Sequence, residues 1–383
     1  MGSDRRLHLF VLIDALGWQV IQGRDFLSDI LPHRTPLRTV LGYSSAAVPT
    51  ILTGVPPAKH QHWNLFYYDP TGSPFRWLRH LRFLPDAVLD HRVTRKLLKE
   101  TGRRLLGLGP LFECCVSPRI LHLFNWVERR NIYDRRGIVG APSIFDRLTE
   151  DRIPHHVYSY HDGSDDTILR WAERDIETGE GNFFFVYLSE MDAFLHRHRG
   201  DPGKVVEHLA DYEMRLRALF ESARRVDPRA SMTVFSDHGM TPIRRKYDLL
   251  KEIDGLGLGM PDDYLAVYDS TMARFWFFTD RAREKVTAAL SAVRCGHMLT
   301  DAELEKLGVL FPDRRYGELV FLLDPGYLFE RSDFNGQGWS PAAMHGYHPD
   351  DPNSDGIFLT NQAPAEAVRR IQDVFGCMHA AMR

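Results

Sequence analysis

Short runs of largely apolar residues, each ending close to an acidic residue, constrain most strongly how this chain can fold. The runs and the acidic residues that follow them are residues 7–13 with Asp14, residues 183–188 with Asp192, and residues 232–235 with Asp237. Apolar runs of this length are typical of strands that are covered on both faces of a parallel sheet. Polar side chains at the carboxyl ends of such strands lie where an open α/β sheet places its ligand site.

Helical patterns alternate with these runs. Further strands are predicted at residues 37–41, 264–268, 273–278 and 318–323, and helices at residues 46–52, 164–178, 205–223, 281–293 and 364–380. The residues predicted to face inward on the helices at 164–178 and 205–223 are Ile168, Trp171, Ile176, Val206, Leu209, Met214, Leu216, Leu219 and Phe220. This alternation predicts an α/β fold, with a doubly wound and mostly parallel sheet that carries helices on both faces.

Residues 61–140 interrupt the alternation and are rich in Arg, His, Phe and Trp. We predict that they form an inserted cap, and that residues 1–60 and 141–383 form a discontinuous catalytic core. The basic residues fit a solvated face, an anion-attracting wall or a membrane-surface segment. The aromatic rings fit the cap's own core or stacking on a nucleobase or sugar, and an arginine could hold a second phosphate. The cap residues considered for these roles are Phe66, Tyr67, Tyr68, Phe75, Trp77, Arg79, Arg82, Phe124, Trp126 and Tyr133.

Composition excludes several classes of protein. Lys and Arg number 48 and Asp and Glu number 51, so the net charge of −3 gives no reason to expect a nucleic-acid polymer as partner. The cysteines (Cys114, Cys115, Cys295 and Cys377) form no C-x-x-C pair, which argues against a disulfide scaffold and a thiolate zinc site. The N-terminal apolar run is short and lacks a cleavage site, and no run is long enough to span a bilayer. We therefore expect a cytoplasmic protein without a transmembrane segment, and its oligomeric state stays open.

Seven residues scattered along the chain carry candidate chemistry. They are Asp14, Ser44, Asp192, His196, Asp237, His238 and His345. Asp192 and His196 lie four apart, on one face of a helical turn. Asp237 and His238 are adjacent potential ligands, and the glycine that follows them permits an unusual turn. Two choices stay open, because Ser45 lies beside Ser44 and His348 lies close to His345; either serine is also a natural N-cap for the helix at 46–52.

Together these side chains fit a catalytic metal centre. Carboxylate and imidazole ligands without cysteine suit zinc or manganese. Two divalent metals need about six protein ligands, and such a pair clamps the attacking and leaving oxygens of a phosphoryl displacement. A serine hydroxyl is a poor nucleophile at neutral pH, but a metal and a helix N-terminus would favour its alkoxide and attract the phosphate.

The order and spacing of these motifs resemble the alkaline phosphatase superfamily, in particular its type I phosphodiesterase/nucleotide pyrophosphatase branch. That branch has a strand ending in a metal-binding Asp and a Thr or Ser nucleophile about ten residues before the Gly of a T-G pair. The matching residues are Asp14, Ser44 with Thr53-Gly54, Pro57 and His60 of P-x-x-H, Asp192 and His196 of D-x-x-x-H, Asp237 to Met240 of D-H-G-M, and His345-Gly346-Tyr347 of H-G-Y. The motifs span residues 14–347, and the segment 61–140 carries none after the P-x-x-H match.

The resemblance implies two zinc sites. One metal would be held by Asp192, His196 and His345, and the other by Asp14, Asp237, His238 and Ser44. It also implies a two-step reaction, in which Ser44 attacks phosphorus to give a phosphoseryl intermediate that water then hydrolyses, with net retention at phosphorus.

One departure from the family pattern concerns the residues after the nucleophile. The branch usually has Thr followed by F-P-N, and its Asn donates a hydrogen bond to a phosphoryl oxygen, whereas Ala47 stands at that position here. Another donor is then required, such as a backbone N–H, Ser45 or an arginine of the cap. The C-x-P-x-R motif of sulfatases is absent, which argues against an arylsulfatase.

We therefore expect a metal-dependent phosphoester hydrolase, most simply a phosphodiesterase or pyrophosphatase with a phosphorylated small molecule or lipid headgroup as substrate. The alternatives are a phosphomonoesterase, a phosphotransferase or mutase of the same superfamily, and a binding module that retains the fold without catalysis. The complete ligand set speaks against the last of these.

Overall fold

Strands and helices alternate along the chain in the computed structural model, which describes residues 6–81, 83–108, 116–333 and 340–382. The strands are β1 (His8–Ile13), β2 (His33–Leu37), β3 (Phe66–Tyr68), β4 (Phe124–Trp126), β5 (His155–Tyr158), β6 (Phe183–Leu188), β7 (Ser231–Phe235), β8 (Thr241–Pro242), β9 (Arg245–Tyr247), β10 (Tyr264–Tyr268), β11 (Met272–Phe277), β12 (Gly296–Leu299), β13 (Leu319–Leu323), β14 (Tyr327–Phe329), β15 (Ala343–Met344) and β16 (Gly356–Thr360). The α-helices are α1 (Trp18–Ile21), α2 (Ser44–Thr53), α3 (Pro57–His60), α4 (Asp86–Leu89), α5 (Arg92–Leu105), α6 (Pro118–Leu121), α7 (Ile144–Glu150), α8 (Asp165–Thr178), α9 (Glu190–His198), α10 (Pro202–Val226), α11 (Leu249–Asp254), α12 (Asp280–Ala292), α13 (Asp301–Lys306) and α14 (Val374–Ala380). Short 3-10 helices occupy Arg76–Leu81, Pro352–Ser354 and Ile371–Asp373.

The central sheet has, within the described ranges, six strands in the order β2-β16-β7-β1-β6-β5. Strands β7, β1, β6 and β5 are parallel, whereas β16 is antiparallel to both of its neighbours. Leu12 of β1 pairs with Phe235 of β7, and Ile13 pairs with Leu188 of β6. The three central strands therefore end side by side, and the polar residues that follow them meet at one edge.

Helices cover both faces of this sheet. Leu9, Val11 and Ile13 of β1 pack into a core with α8, α9 and α10. Phe10 and Leu12 point the other way, into a core with α2, α7 and α14. The alternation follows from the two-residue period of a strand and explains why β1 is apolar throughout. The predicted α/β class, with a mostly parallel central sheet, is confirmed.

A second sheet is antiparallel and consists, in the described residues, of β10, β11, β13 and β12. The strands predicted at 264–268, 273–278 and 318–323 form this sheet, so they do not extend the parallel one. The helices observed at α8, α10 and α12 match their predicted ranges within a few residues.

Two predicted elements were wrong in position. The strand predicted at 37–41 lies instead at β2, which is an edge strand of the central sheet. Pro36 is tolerated in β2 because an edge strand has a hydrogen-bonded neighbour on one side only, so the missing N–H breaks no bond to a second strand. The helix predicted at 364–380 is confined to the 3-10 turn at Ile371–Asp373 and to α14. The carboxylate of Asp373 accepts hydrogen bonds from the backbone N–H groups of Arg369 and Arg370. These bonds hold the chain just before the 3-10 helix, so the helical structure begins at Ile371.

Three predicted inward positions were also wrong. Trp171 is 40% exposed, Val206 46% and Met214 63%. The buried stripe of α8 passes through Leu169 and Ala172, which flank Trp171. The other predicted inward residues of α8 and α10 are buried.

Residues 61–140 contribute β3, β4 and helices α4 to α6. Aromatic residues of this segment pack in one core with the second sheet: Phe66, Phe75, Phe124 and Trp126 contact the group that includes Leu265, Val267 and Trp276. Trp77 and Arg79 are exposed, and Arg82 lies outside the described residues. The division into a core and a cap stays a prediction.

The helices in the described ranges include none that is long and apolar enough to cross a membrane. Cys295 and Cys377 are free thiols. Cys114 and Cys115 lie outside the described residues.

Candidate active site

The ends of β1 and β7 bring one group of predicted ligands together. Asp14 follows β1, and Asp237 with His238 follows the adjacent parallel strand β7; all three are buried. Nε2 of His238 lies 3.6 Å from Oδ1 of Asp14 and 3.3 Å from Oδ2 of Asp237. Oγ of Ser44, the first residue of α2, lies 3.1 Å from the same Nε2. Residues 14, 44, 237 and 238 thus form one compact group.

A second group forms around helix α9, which starts two residues after β6 ends. Oδ1 of Asp192 lies 3.4 Å from Nε2 of His196 one turn later, as the spacing predicted. It also lies 3.6 Å from Nε2 of His345, which follows β15. His348, the other candidate, instead faces Asp350, with 3.4 Å between ring nitrogen and carboxylate.

The two groups adjoin each other. The rings of His238 and His345 stack with centroids 3.9 Å apart and an interplanar angle of 11°. Strand β15 pairs with β8, which begins two residues after Gly239, so this short ladder places His345 beside the end of β7. A Cβ on Gly239 would lie 2.2 Å from the carbonyl oxygen of Asn353. The backbone at Gly239 has an ordinary φ, so a glycine is needed here because the two backbones approach closely, and the turn that the sequence suggested is not the reason.

Buried carboxylate oxygens without hydrogen-bond partners converge in both groups. Oδ2 of Asp14 accepts a 2.5 Å hydrogen bond from Tyr187, and Oδ1 of Asp237 accepts bonds from the backbone N–H groups of Ala15 and His238. Among the described residues, the remaining oxygens Oδ1 of Asp14 and Oδ2 of Asp237 accept none. Leaving such atoms unpaired costs free energy, which a bound cation would offset.

Two of the three histidines, His196 and His238, are oriented as metal ligands are. Nδ1 of His196 donates to the carbonyl of Ala343 at 2.9 Å, and Nδ1 of His238 donates to that of Gly239 at 3.0 Å. A proton fixed on Nδ1 leaves the Nε2 lone pair free to bind a cation. In each group, three acidic or imidazole ligand atoms lie within 4.8 Å of one another: Asp14, Asp237 and His238 in the first, Asp192, His196 and His345 in the second. Oxygen and imidazole donors of this kind fit zinc or manganese.

Electrostatics inside the site also favour bound cations. Burial and the nearby charges of Asp237 and Asp192 raise the pKa of Asp14 well above its usual range. Burial and the neighbouring His238 lower the pKa of His345 well below its usual range. Positive metal charge would reverse the repulsion among the carboxylates and leave the imidazoles neutral, as ligation requires.

Ser44, rather than Ser45, faces the ligands. Ser45 Oγ donates to the carbonyl oxygen of Trp63 at 2.9 Å, whereas Ser44 Oγ contacts His238. The expectation that one of them caps α2 was wrong, because the N-cap is Tyr43 and no side chain caps the helix. Ser44 at the first helical position still lies at the positive end of a helix dipole.

Both groups open onto a cavity of about 420 Å³. Its lining includes residues of the predicted site (Asp14, Ser44, Asp192, His196 and His345) and residues that the sequence did not single out (Tyr43, Asn64, Glu128, Ile132, Tyr160, Tyr187, Val267, Asp269 and Asp333). Phe66 and Tyr133 are the cap residues considered from the sequence that line it. Asn64 and Glu128 lie in loops with no periodic pattern, so their spacing gave no signal.

The fold and the grouping of these candidate ligands are those expected of a phosphoester hydrolase of the alkaline phosphatase superfamily. The model of the type I phosphodiesterase/nucleotide pyrophosphatase family matches residues 9–348, and the chain belongs to that family. The resemblance found in the sequence is thereby confirmed.

Solved structures share the fold at low sequence identity. Murine ectonucleotide pyrophosphatase/phosphodiesterase 5 superposes with a TM-score of 0.68 at 17% identity, and the human protein with 0.70 at 14%; each match covers 99% of this chain and 95% of the other. Phosphonoacetate hydrolase from Sinorhizobium meliloti 1021 gives 0.65 at 14% identity, covering 99% of this chain and 96% of the other. A search of curated proteins gave no match.

Proposed function

We propose that this chain is a two-metal phosphodiesterase in which Ser44 is the nucleophile. The observation that carries the proposal is the position of Ser44 Oγ, which lies 3.1 Å from His238 in one ligand group and lines the cavity that the second group also lines. A nucleophile between two cation sites is the geometry that an in-line phosphoryl displacement needs.

We assign one cation to each of the two groups of candidate ligands. Asp192, His196 and His345 would hold one, and Asp14, Asp237 and His238 with Ser44 would hold the other; zinc is the first choice and manganese the second. When bound, such cations would lower the pKa of the Ser44 hydroxyl and balance the charge on the phosphoryl oxygens.

The proposed reaction consists of two successive displacements at phosphorus, first by Ser44 and then by water. Ser44 Oγ forms a bond to phosphorus as the bond to one ester oxygen breaks, and the serine proton ends on the departing alcohol. The phosphoseryl intermediate keeps the second ester group. Water then attacks phosphorus, the bond to Oγ breaks, and Ser44 recovers a proton from the attacking water. Two displacements give net retention of configuration.

Asn64 is the donor that we assign to the developing phosphoryl charge, in place of the side chain missing at Ala47. Asn64 is buried and lines the same cavity as Ser44. Among the described residues, its amide nitrogen donates only to the sulfur of Met272, at 3.7 Å, which is a weak acceptor. Two of the other donors expected from the sequence fit less well, because Ser45 donates to Trp63 and no arginine of the described cap residues lines the cavity.

The cavity favours a diester over a monoester. Beyond Ser44, part of its wall is apolar, with Phe66, Ile132 and Val267 among the lining residues, and this part leaves room for an ester substituent. The murine relative was also solved in complex with AMP, and the bacterial one with phosphonoacetate. Substrates of this chain are accordingly phosphorylated small molecules or lipid headgroups.

The test compares hydrolysis of bis-p-nitrophenyl phosphate, p-nitrophenyl phosphate and phosphonoacetate by zinc-loaded protein. We expect the diester to be preferred, and Ser44→Ala to lose turnover by at least about a thousandfold while keeping most of the zinc that the wild type binds. Ser45→Ala is the matched control and should remain active. Full activity of Ser44→Ala would refute the assignment, and preference for p-nitrophenyl phosphate would make the chain a monoesterase.

A further inference from the structure

The cavity continues past the ligand groups to a wall formed by Glu128 and three tyrosines, Tyr133, Tyr160 and Tyr187. The hydroxyl of Tyr187 donates to Asp14, so this wall starts directly beside the first ligand group. The proposed reaction gives these residues no role.

Glu128 is half-buried in the cavity wall. Among the described residues, its carboxylate makes neither an ion pair nor a hydrogen bond. Burial raises the pKa of Glu128 to about 7. Partial burial of a carboxyl group without a protein partner carries a cost that a ligand with a positive charge or a hydrogen-bond donor would offset.

The tyrosines present a continuous aromatic surface beside it. The rings of Tyr133 and Tyr160 lie 5.9 Å apart at 81°, and those of Tyr160 and Tyr187 lie 5.5 Å apart at 82°. Burial raises the pKa of Tyr160, and the charges of Glu128 and Asp14 raise it further, so both carboxylates act on this ring. Aromatic faces next to a carboxylate are the surroundings in which a desolvated ammonium group is stabilised.

The carboxyl groups that line the cavity disfavour a negatively charged substituent on the ester. Two more carboxyl groups, Asp269 and Asp333, line it. Asp269 forms an ion pair with Arg274 at 2.9 Å, whereas Asp333 accepts a hydrogen bond from the backbone N–H of Tyr268 and has no cationic partner among the described residues. No lysine or arginine among the residues in the described ranges contributes to the lining. A second phosphate would therefore meet negative charge here, whereas a cation would meet a complementary field.

We infer that Glu128 and the wall of Tyr133, Tyr160 and Tyr187 bind a positively charged amine on the ester substituent of the substrate. The inference rests on the proposed function, and it narrows the substrate class to phosphodiesters that carry an ammonium group a short spacer away from phosphorus. The phosphate occupies the ligand groups and the ammonium group contacts the aromatic faces, with Glu128 as its counter-charge.

The experiment compares two substrates that differ only in charge. One is 2-(trimethylammonio)ethyl p-nitrophenyl phosphate, and the other is its neutral carbon isostere, 3,3-dimethylbutyl p-nitrophenyl phosphate. With the zinc-loaded full chain we expect kcat/KM to favour the ammonium compound by about tenfold or more. Equal values of kcat/KM for the two compounds would overturn the inference and leave the phosphodiesterase assignment intact.

Variants locate the effect. Glu128→Gln keeps the shape of the side chain and should lower the ratio of the two kcat/KM values to near one. Glu180→Gln changes an exposed glutamate outside the cavity and should leave the ratio at the wild-type value. An unchanged ratio in Glu128→Gln would show that this carboxylate is not the counter-charge, and would overturn the inference.

A binding measurement separates the inference from the activity and needs no variant. Tetramethylammonium titrated into zinc-loaded wild type, at constant ionic strength, should broaden its own NMR signal, and the ammonium diester should displace it. Binding without hydrolysis of either ester would support the amine site and refute the proposed function. Absence of specific binding would refute the amine site, whatever the activity.

Discussion

At Asp237, the two carboxylate oxygens have different tasks. Oδ1 accepts the backbone N–H groups of Ala15 and His238, and Oδ2 is left for a cation. Asp237→Asn keeps the first oxygen and replaces the second by an amide, so we expect the fold to persist and bound zinc to fall from two per chain to one. Metal analysis after dialysis measures this. Asp227→Asn is the matched control, since Asp227 accepts the N–H groups of Leu7 and Arg229 far from the ligands. Two zinc ions retained by Asp237→Asn would remove this residue from the ligand set.

At Asn64, the prediction concerns the transition state. If its amide stabilises the phosphoryl oxygens, Asn64→Ala should lower kcat by about 10²–10³ with a small change in KM, the loss measured when one such donor is removed. A packing defect alone would lower the melting temperature and the active fraction, so both are measured beside the kinetics. A drop of less than fivefold in kcat, with full stability, would leave the donor unassigned.

Among the elements, three helices are joined by Asp165, the first residue of α8. Its carboxylate accepts the backbone N–H of Ser189, at the start of α9, and the hydroxyl of Tyr212 on α10. Burial raises the pKa of Asp165 from 3.8 to about 6, so the folded state holds a proton that the unfolded chain loses earlier. Stability from this group is complete below pH 4 and is lost as pH rises through 6, by roughly 3 kcal/mol. Urea unfolding at pH 4 and pH 7 should therefore differ more for wild type than for Asp165→Asn, and an equal difference in both would contradict the pKa.

The elements that could be predicted are those that a short stretch of sequence determines by itself. Strand β1 and helix α8 are fixed by apolar periodicity within a dozen residues, and the sequence located both. Strand β16 was not predicted, because its short run GIFLT gains its place only by pairing with β7 and β2. The prediction of which helix residues face inward was wrong where a residue lies next to the buried stripe, as Trp171 does.

Across the whole molecule, the candidate site is assembled from residues 14 to 345. Asp14 and Asp237 follow apolar runs that the sequence shows, whereas His345 follows the two-residue strand β15, which the sequence does not show. The cavity walls were not predictable, since Glu128, Tyr160 and Asp333 come together only through packing between segments far apart in sequence. No single window of sequence contains the information that these side chains share one space. Local motifs were therefore enough to single out the candidate ligands, while the shape and charge of the cavity walls could not be predicted.

The same long-range assembly predicts how metal binding affects stability. Without cations, the carboxyl groups of Asp14, Asp192 and Asp237 crowd a largely buried space, and their mutual repulsion opposes folding. Binding two cations to the folded state only adds RT ln(1 + [L]/Kd) for each, about 4 kcal/mol at a thousand times Kd. We expect the melting temperature, followed by scanning calorimetry, to rise by several degrees with zinc and to fall again with a chelator. Ser44→Ala should show nearly the full rise and Asp237→Asn a smaller one. A melting temperature that does not respond to zinc would mean that the converging carboxylates are not a metal centre.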